Sequence, residues 1–144
     1  MTLCDMAGNF LDAIVMPASM GERVCALALL IQVKRKLWRE NLQVVFADQG
    51  FDGEGFRRQI QNQCNVKLQI VQRDPNAQPG FQPLPKRWLI EQVFGCWGRN
   101  RRLSRDYEQQ PHMSRATLQV ASIHRFVNRL QPKTTSDSPF RYRS

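Results

Sequence analysis

Leu42-Gln43-Val44-Val45-Phe46-Ala47-Asp48-Gln49-Gly50 is a β-branched, apolar run stopped by an acid, an amide and a glycine. A run of this length bounded by a turn signal predicts a buried strand ending in a loop, with Asp48 at its C-terminal end. Downstream, residues from Gly53 to about Gln63 predict a polar helix, and Lys67-Leu68-Gln69-Ile70-Val71 alternates as a second strand. Strand, helix, strand implies a parallel pair and an α/β fold, which gathers ligands at the carboxyl ends of its strands.

Working outward, Met1 to Val15 reads as a β-hairpin around Ala7-Gly8-Asn9, glycine and asparagine supplying the positive φ of a tight turn. From Gly21 to about Arg39, Val24, Leu27, Leu30, Ile31 and Leu37 keep a helical spacing, with Lys34, Arg35 and Lys36 near the end that favours cations. Pro75, Pro79, Gly80 and Pro83 exclude regular structure between Asp74 and Pro83. A helix is expected from Leu84 or Pro85, its core stripe Ile90, Val93, Phe94 and Trp97 leaving Arg87 and Glu91 on a neighbouring face. A last helix, from Ser114 to Leu130, offers Leu118, Ala121, Ile123, Phe126, Val127 and Leu130 as a packing stripe. One domain over residues 1–131 is expected, with 132–144 a disordered tail rich in Pro, Ser and Thr.

The chain has 144 residues, enough for one domain with a core, and 42% hydrophobic against 23% charged residues places it among globular proteins. Twenty-one Lys and Arg against twelve Asp and Glu give a net charge of +9, which points to a polyanionic partner. Nucleic acid fits better than a membrane surface, because the basic residues are spread over several segments and interleaved with aromatics. Cys4, Cys25, Cys64 and Cys96 form no CxxC or CxxH pair, so reduced thiols in a cytoplasmic protein are expected. The longest apolar run, Val24 to Ile31, is too short to span a bilayer, and the N-terminus has no basic start of a secretory signal.

Asp48 past a strand and Glu91 beside a core stripe are placed to face a cleft, where two carboxylates can hold a hard cation such as Mg²⁺. Asp48 as a loop or N-cap residue and Glu91 as an i, i+4 partner of Arg87 are the structural alternatives. Arg99-Asn100-Arg101-Arg102-Leu103-Ser104-Arg105 places four arginines in seven residues with no acid among them, after Trp88 and Trp97 and before Tyr107. Arginine matches phosphate bidentately and aromatics stack on bases, although basic residues also favour solvated helix ends. His112 and His124 have no Cys, Asp or His at metal spacing and read as surface or structural residues.

Two blocks, Ala47-Asp48-Gln49-Gly50-Phe51-Asp52-Gly53 and Pro85 to Glu108 with Lys86-Arg87-Trp88-Leu89-Ile90-Glu91 and Gly98-Arg99-Asn100-Arg101-Arg102-Leu103, resemble those around the second Asp and the Glu of bacterial insertion-sequence DDE transposases. The likeness runs from about Leu42 to Leu130, and the hairpin with Pro17-Ala18-Ser19 resembles the segment before it. Phe51 and Gln92 stand where tyrosine and arginine are commoner in the family.

The resemblance implies an incomplete ribonuclease H-like fold: hairpin, helix, strand, helix, strand and two C-terminal helices, the first central strand missing. Asp48 and Glu91 match the second and third metal-binding, catalytic carboxylates; the first lies upstream of the hairpin, and Asp5 and Asp12, read as turn residues, do not replace it. Implied with them are Mg²⁺ or Mn²⁺, DNA (transposon ends and target) as the partner, and two-metal phosphoryl transfer in DNA transposition and recombination. Lys86, Arg87, Trp97, Arg99, Arg101, Arg102 and Arg105 are the expected DNA contacts. A chain with two of three carboxylates is expected to be inactive alone. The rival readings are a basic DNA-binding remnant that interferes with a full-length transposase or does nothing, and a piece expressed by frameshifting or paired with an upstream-frame product that supplies the first Asp.

Overall fold

The computed structural model describes residues 1–71, 87–103, 108 and 110–130, and of Arg87 and Trp88 the helical backbone alone. The expected proline-containing loop and tail, and with them the boundary at residue 131, lie outside the described residues.

The strand β3, Val44–Ala47, lies parallel to β4, Lys67–Ile70, with Val44 opposite Lys67 and Ala47 opposite Ile70. Between them runs α2, Glu54–Cys64, ended by Asn65 in the left-handed region at φ 52°. Asparagine tolerates that conformation, which turns the chain into β4. Helix α2 buries Phe56, Ile60 and Cys64, one residue per turn, against Val66, Leu68 and Leu30 of α1, Glu22–Val33. The expected parallel β-α-β unit is present.

β3 is only half-buried, and Val44 is exposed, because among the described residues β4 is its single strand neighbour. The helix expected to reach Arg39 stops at Val33, and Leu37–Asn41 forms a 3-10 helix. Lys34, Arg35 and Lys36 therefore occupy the turn after α1. Side-chain bonds draw that turn over the end of α2: Lys34 Nζ donates to Gln63 O at 3.1 Å, and Arg39 Nη2 to the carbonyls of Cys64 and Asn65.

A second cluster forms around the hairpin of β1, Thr2–Cys4, and β2, Phe10–Ala13, which pair antiparallel with an irregularity between Leu3 and Cys4. In its turn, Asp5 Oδ1 accepts the amides of Ala7 and Asn9, both at 2.8 Å, and Gly8 alone takes positive φ, at 72°. Asn9, whose amide donates to Asp5 Oδ1, does not share that role. Helices α3, Arg87–Gly98, and α4, Pro111–Leu130, cover this hairpin. Proline suits the first turn of α4, since its absent N–H would have no intrahelical acceptor there.

The stripes of these helices differ from expectation. In α3 the buried residues are Leu89, Val93 and Trp97, while Phe94 is 52% exposed. In α4 Ala121 and Leu118 pack inward, but Ile123, Val127 and Leu130 face solvent. Each helix is covered along a narrow line by the hairpin and by the other, so only a seam is buried. Among the described residues the architecture is α/β, with four α-helices and two two-stranded sheets.

Candidate functional site

Asp48 lies where the sequence places it, directly after β3, exposed, with extended backbone at φ −78° and ψ 177°. Its Oδ1 accepts the amide of Gly50 at 3.2 Å, so the loop-capping role is real. The loop is clasped from α1 by Arg23, whose Nε donates to Gly50 O at 3.3 Å and Nη2 to Asp52 O at 2.6 Å. The same guanidinium sits 5.9 Å from the Phe56 ring, tying the loop to the core. Glu22 approaches from α1 too: a Cβ added at Gly50 would lie 3.3 Å from Asp48 Oδ1 and 3.8 Å from Glu22 Oε2. Two acids thus flank one glycine at the carboxyl end of β3.

Glu91 is an exposed residue of α3, one turn after Arg87. Its helix packs mainly on β1 and α4, in the hairpin cluster, whereas Asp48 belongs to the β3–β4 cluster. Among the described residues no group of three or more His, Cys, Asp or Glu is arranged to hold a metal ion.

In the arginine-rich segment, Arg99, Arg101 and Arg102 are exposed on a turn closed by Asn100 N to Trp97 O at 2.8 Å and Leu103 N to Asn100 O at 2.9 Å. Arg102 is bound by Glu108, with Nη2 at 2.7 Å and Nε at 3.2 Å from Oε1, and that hydrogen bond pushes its pKa up. Lys86 and Arg105 lie outside the described residues. Trp97 is no stacking platform. It is 7% exposed, its Nε1–H donates to Ser122 Oγ at 3.1 Å, and its ring meets Phe10 edge-on at 5.3 Å. A tryptophan at the seam of α3, α4 and the hairpin is worth more as buried area than as a surface ring.

The family model of the transposase DDE domain matches residues 1–124. The chain belongs to the transposase DDE domain family. No curated protein and no solved structure matches it. The family acts in DNA transposition, and its members generally use divalent metal ions. No described helix of this transposase domain is long and apolar enough to cross a membrane, and its four cysteines are free thiols. Burial raises the pKa of Cys4 and of Cys64.

Sequence reasoning missed Asp12. It is not a turn residue but lies within β2, wholly buried, bonded to Arg115, to Gln32 Nε2 at 3.0 Å and, at 3.8 Å, to Lys36. The signal was there: in Phe10-Leu11-Asp12-Ala13 the acid shares strand parity with an apolar hairpin position, and an inward acid demands cations. Glu22 and Arg23, beside the Asp48 loop, carried no sequence signal beyond opening a helix. His112 and His124 are exposed, and His124 Nε2 lies 3.0 Å from Asn128 Nδ2.

Proposed function

We propose that this chain serves DNA transposition as the DNA-contacting C-terminal part of an insertion-sequence DDE transposase with a ribonuclease H-like sheet, Asp48 and Glu91 being two of its metal-binding carboxylates. The observation that carries this reading is the position of Asp48, exposed at the carboxyl end of a parallel strand on a loop clasped by Arg23. Open α/β folds bind their ligands at that end. Arg87, Arg99, Arg101, Arg105 and Lys86 are the cations assigned to DNA phosphate, with Arg102 available once it leaves Glu108.

Carboxylates suit Mg²⁺ or Mn²⁺, which when bound supplies the charge that activates an attacking oxygen and steadies the leaving one at phosphorus. The described residues do not complete such a site: Asp48, with Glu22 near it, and Glu91 sit in separate clusters, and no group of three such residues is arranged to hold a metal ion. No displacement step is therefore assigned to this chain alone. The same observation favours a second reading, a catalytically inactive DNA-binding remnant.

Duplex binding and Mg²⁺- or Mn²⁺-dependent nicking of terminal-inverted-repeat DNA test both. Salt-sensitive binding without nicking is expected from the chain alone, with nicking restored by an upstream-frame polypeptide that carries a further Asp and abolished again by Asp48→Asn or Glu91→Gln. Cleavage that survives both substitutions overturns the site assignment. Restoration that never occurs leaves the remnant reading.

A further inference from the structure

At the end of α1 away from Asp48, the described residues form an open cleft of about 620 Å³ walled by Lys34, Arg35, Lys36 and Arg39, with Glu40 as its single acid and Asn65 at its edge. Arg23 places the start of α1 against the Asp48 loop, so a twelve-residue helix separates the cleft from that loop by about 18 Å at 1.5 Å per residue. We infer that this cleft is a second phosphate-binding surface, which seats the backbone of duplex DNA at the far end of α1 from Asp48.

Geometry and charge both support it. Arg39 is fixed by donating to the carbonyls of Leu42, Cys64 and Asn65, and Lys34 by donating to Gln63 O. Carbonyls orient these cations without cancelling their charge. Arg39 Nε is also buried with no hydrogen-bond partner among the described residues. Lys36 lies 3.8 Å from Asp12, a carboxylate that it shares with Nη2 and Nε of Arg115. Arg35 is exposed. Four cations against one lining acid, with Lys34 and Arg39 held by carbonyls before any ligand arrives, suit a row of phosphates whose negative charges recur every 1.7 Å or so along a duplex. The chain's surplus of cations elsewhere gives general attraction, whereas this cleft supplies a place for the backbone to lie.

The inference rests on the DNA-transposition reading above, and its test separates the two. Fluorescence anisotropy of a labelled duplex of arbitrary sequence, over a series of salt concentrations, compares the wild-type chain with Arg35→Gln, with Lys34→Gln/Arg35→Gln and with Arg57→Gln/Arg58→Gln. The last pair removes equal charge from α2, where Arg57 and Arg58 already face Asp52 and Glu54. The cleft double variant is expected to bind about tenfold more weakly and to lose about 1.8 from the slope of log affinity against log salt, 0.9 for each phosphate contact removed. The α2 variant is expected to change less. Circular dichroism checks folding, and Arg35→Gln alone, which removes no side-chain bond to α2, keeps the test decisive if Lys34→Gln unfolds. Cleft variants that follow the wild-type curve, or that lose no more than the α2 variant, overturn the cleft while leaving the DNA reading intact. A wild-type chain that binds anionic lipid vesicles but no duplex overturns both.

Discussion

Arg115 of α4 closes on the carboxylate of Asp12 in β2, its Nη2 2.9 Å from Oδ1 and 3.2 Å from Oδ2. The Asp12 side chain is 1% exposed and that of Arg115 27%. With Gln32 on the same carboxylate and on Ala13 O, one acid ties the hairpin to α1 and α4. Removing one partner of such a pair leaves a buried charge uncompensated, which costs about 3–5 kcal/mol. Arg115→Met is expected to destabilise the fold by about 3 kcal/mol, the lower end because Lys36 and Gln32 remain, read as a lower urea midpoint. A loss below about 1 kcal/mol would mean that the pair is solvated.

Gly8 sits at φ 72° in the hairpin turn, and a Cβ there would lie 2.8 Å from Gln92 Oε1 and 3.6 Å from Leu89 Cδ2. The Gln92 side chain can swing aside, so the conformational cost dominates. Gly8→Ala is expected to cost about 1–2 kcal/mol, and Gln92→Ala in the same background to recover little of it. Full recovery on trimming Gln92 would show that contact, not backbone, sets the cost.

Trp97→Phe should lose its bond to Ser122 and about 1 kcal/mol of stability while leaving duplex affinity unchanged. Anisotropy beside thermal unfolding checks both halves. A fall in affinity at constant stability would restore Trp97 to the DNA surface.

Ile123→Ser is expected to stay within about 0.5 kcal/mol of wild type, since Ile123 is 60% exposed, whereas Val93→Ala, at 1% exposure, should cost about 2 kcal/mol. Equal costs would mean that the outer side of α4 is covered in solution.

Burial of Asp5 opposes its ionisation, but hydrogen bonds from Asn9 and Ala7 and the charge of Arg129 outweigh it and hold the carboxyl below its ordinary 3.8. A depressed folded pKa stabilises the fold above the unfolded value, and that contribution disappears as pH falls through the lower folded value. The stability gap between wild type and Asp5→Asn should therefore be full at pH 6 and shrink below about pH 4. A gap that is constant down to pH 2.5 contradicts this.

The chain's local choices were legible in its residues. β-branched Val44 and Val45 before Asp48-Gln49-Gly50, the alternation of Lys67 to Ile70 and the glycine at position 8 each carry their conformation in their own chemistry, so strand, turn and parallel pair follow without a partner. Asp48's place past β3 was readable for the same reason, and the blocks around Asp48 and Glu91 pointed to the family that residues 1–124 confirm.

Tertiary structure alone decided which face of each helix is covered. Periodicity marks a stripe but not the width of what packs on it, so Phe94, Ile123 and Val127 could not be sorted from Leu89 and Ala121 until the hairpin lay across α3 and α4. Asp12 and Arg115 meet across the fold, and Arg39 reaches carbonyls that exist as acceptors only because α2 ends beside it. Such contacts depend on where distant backbone ends up, which no single segment encodes; with Gln32 of α1 on Asp12 they join the two clusters, and through Arg39 they shape the cationic cleft.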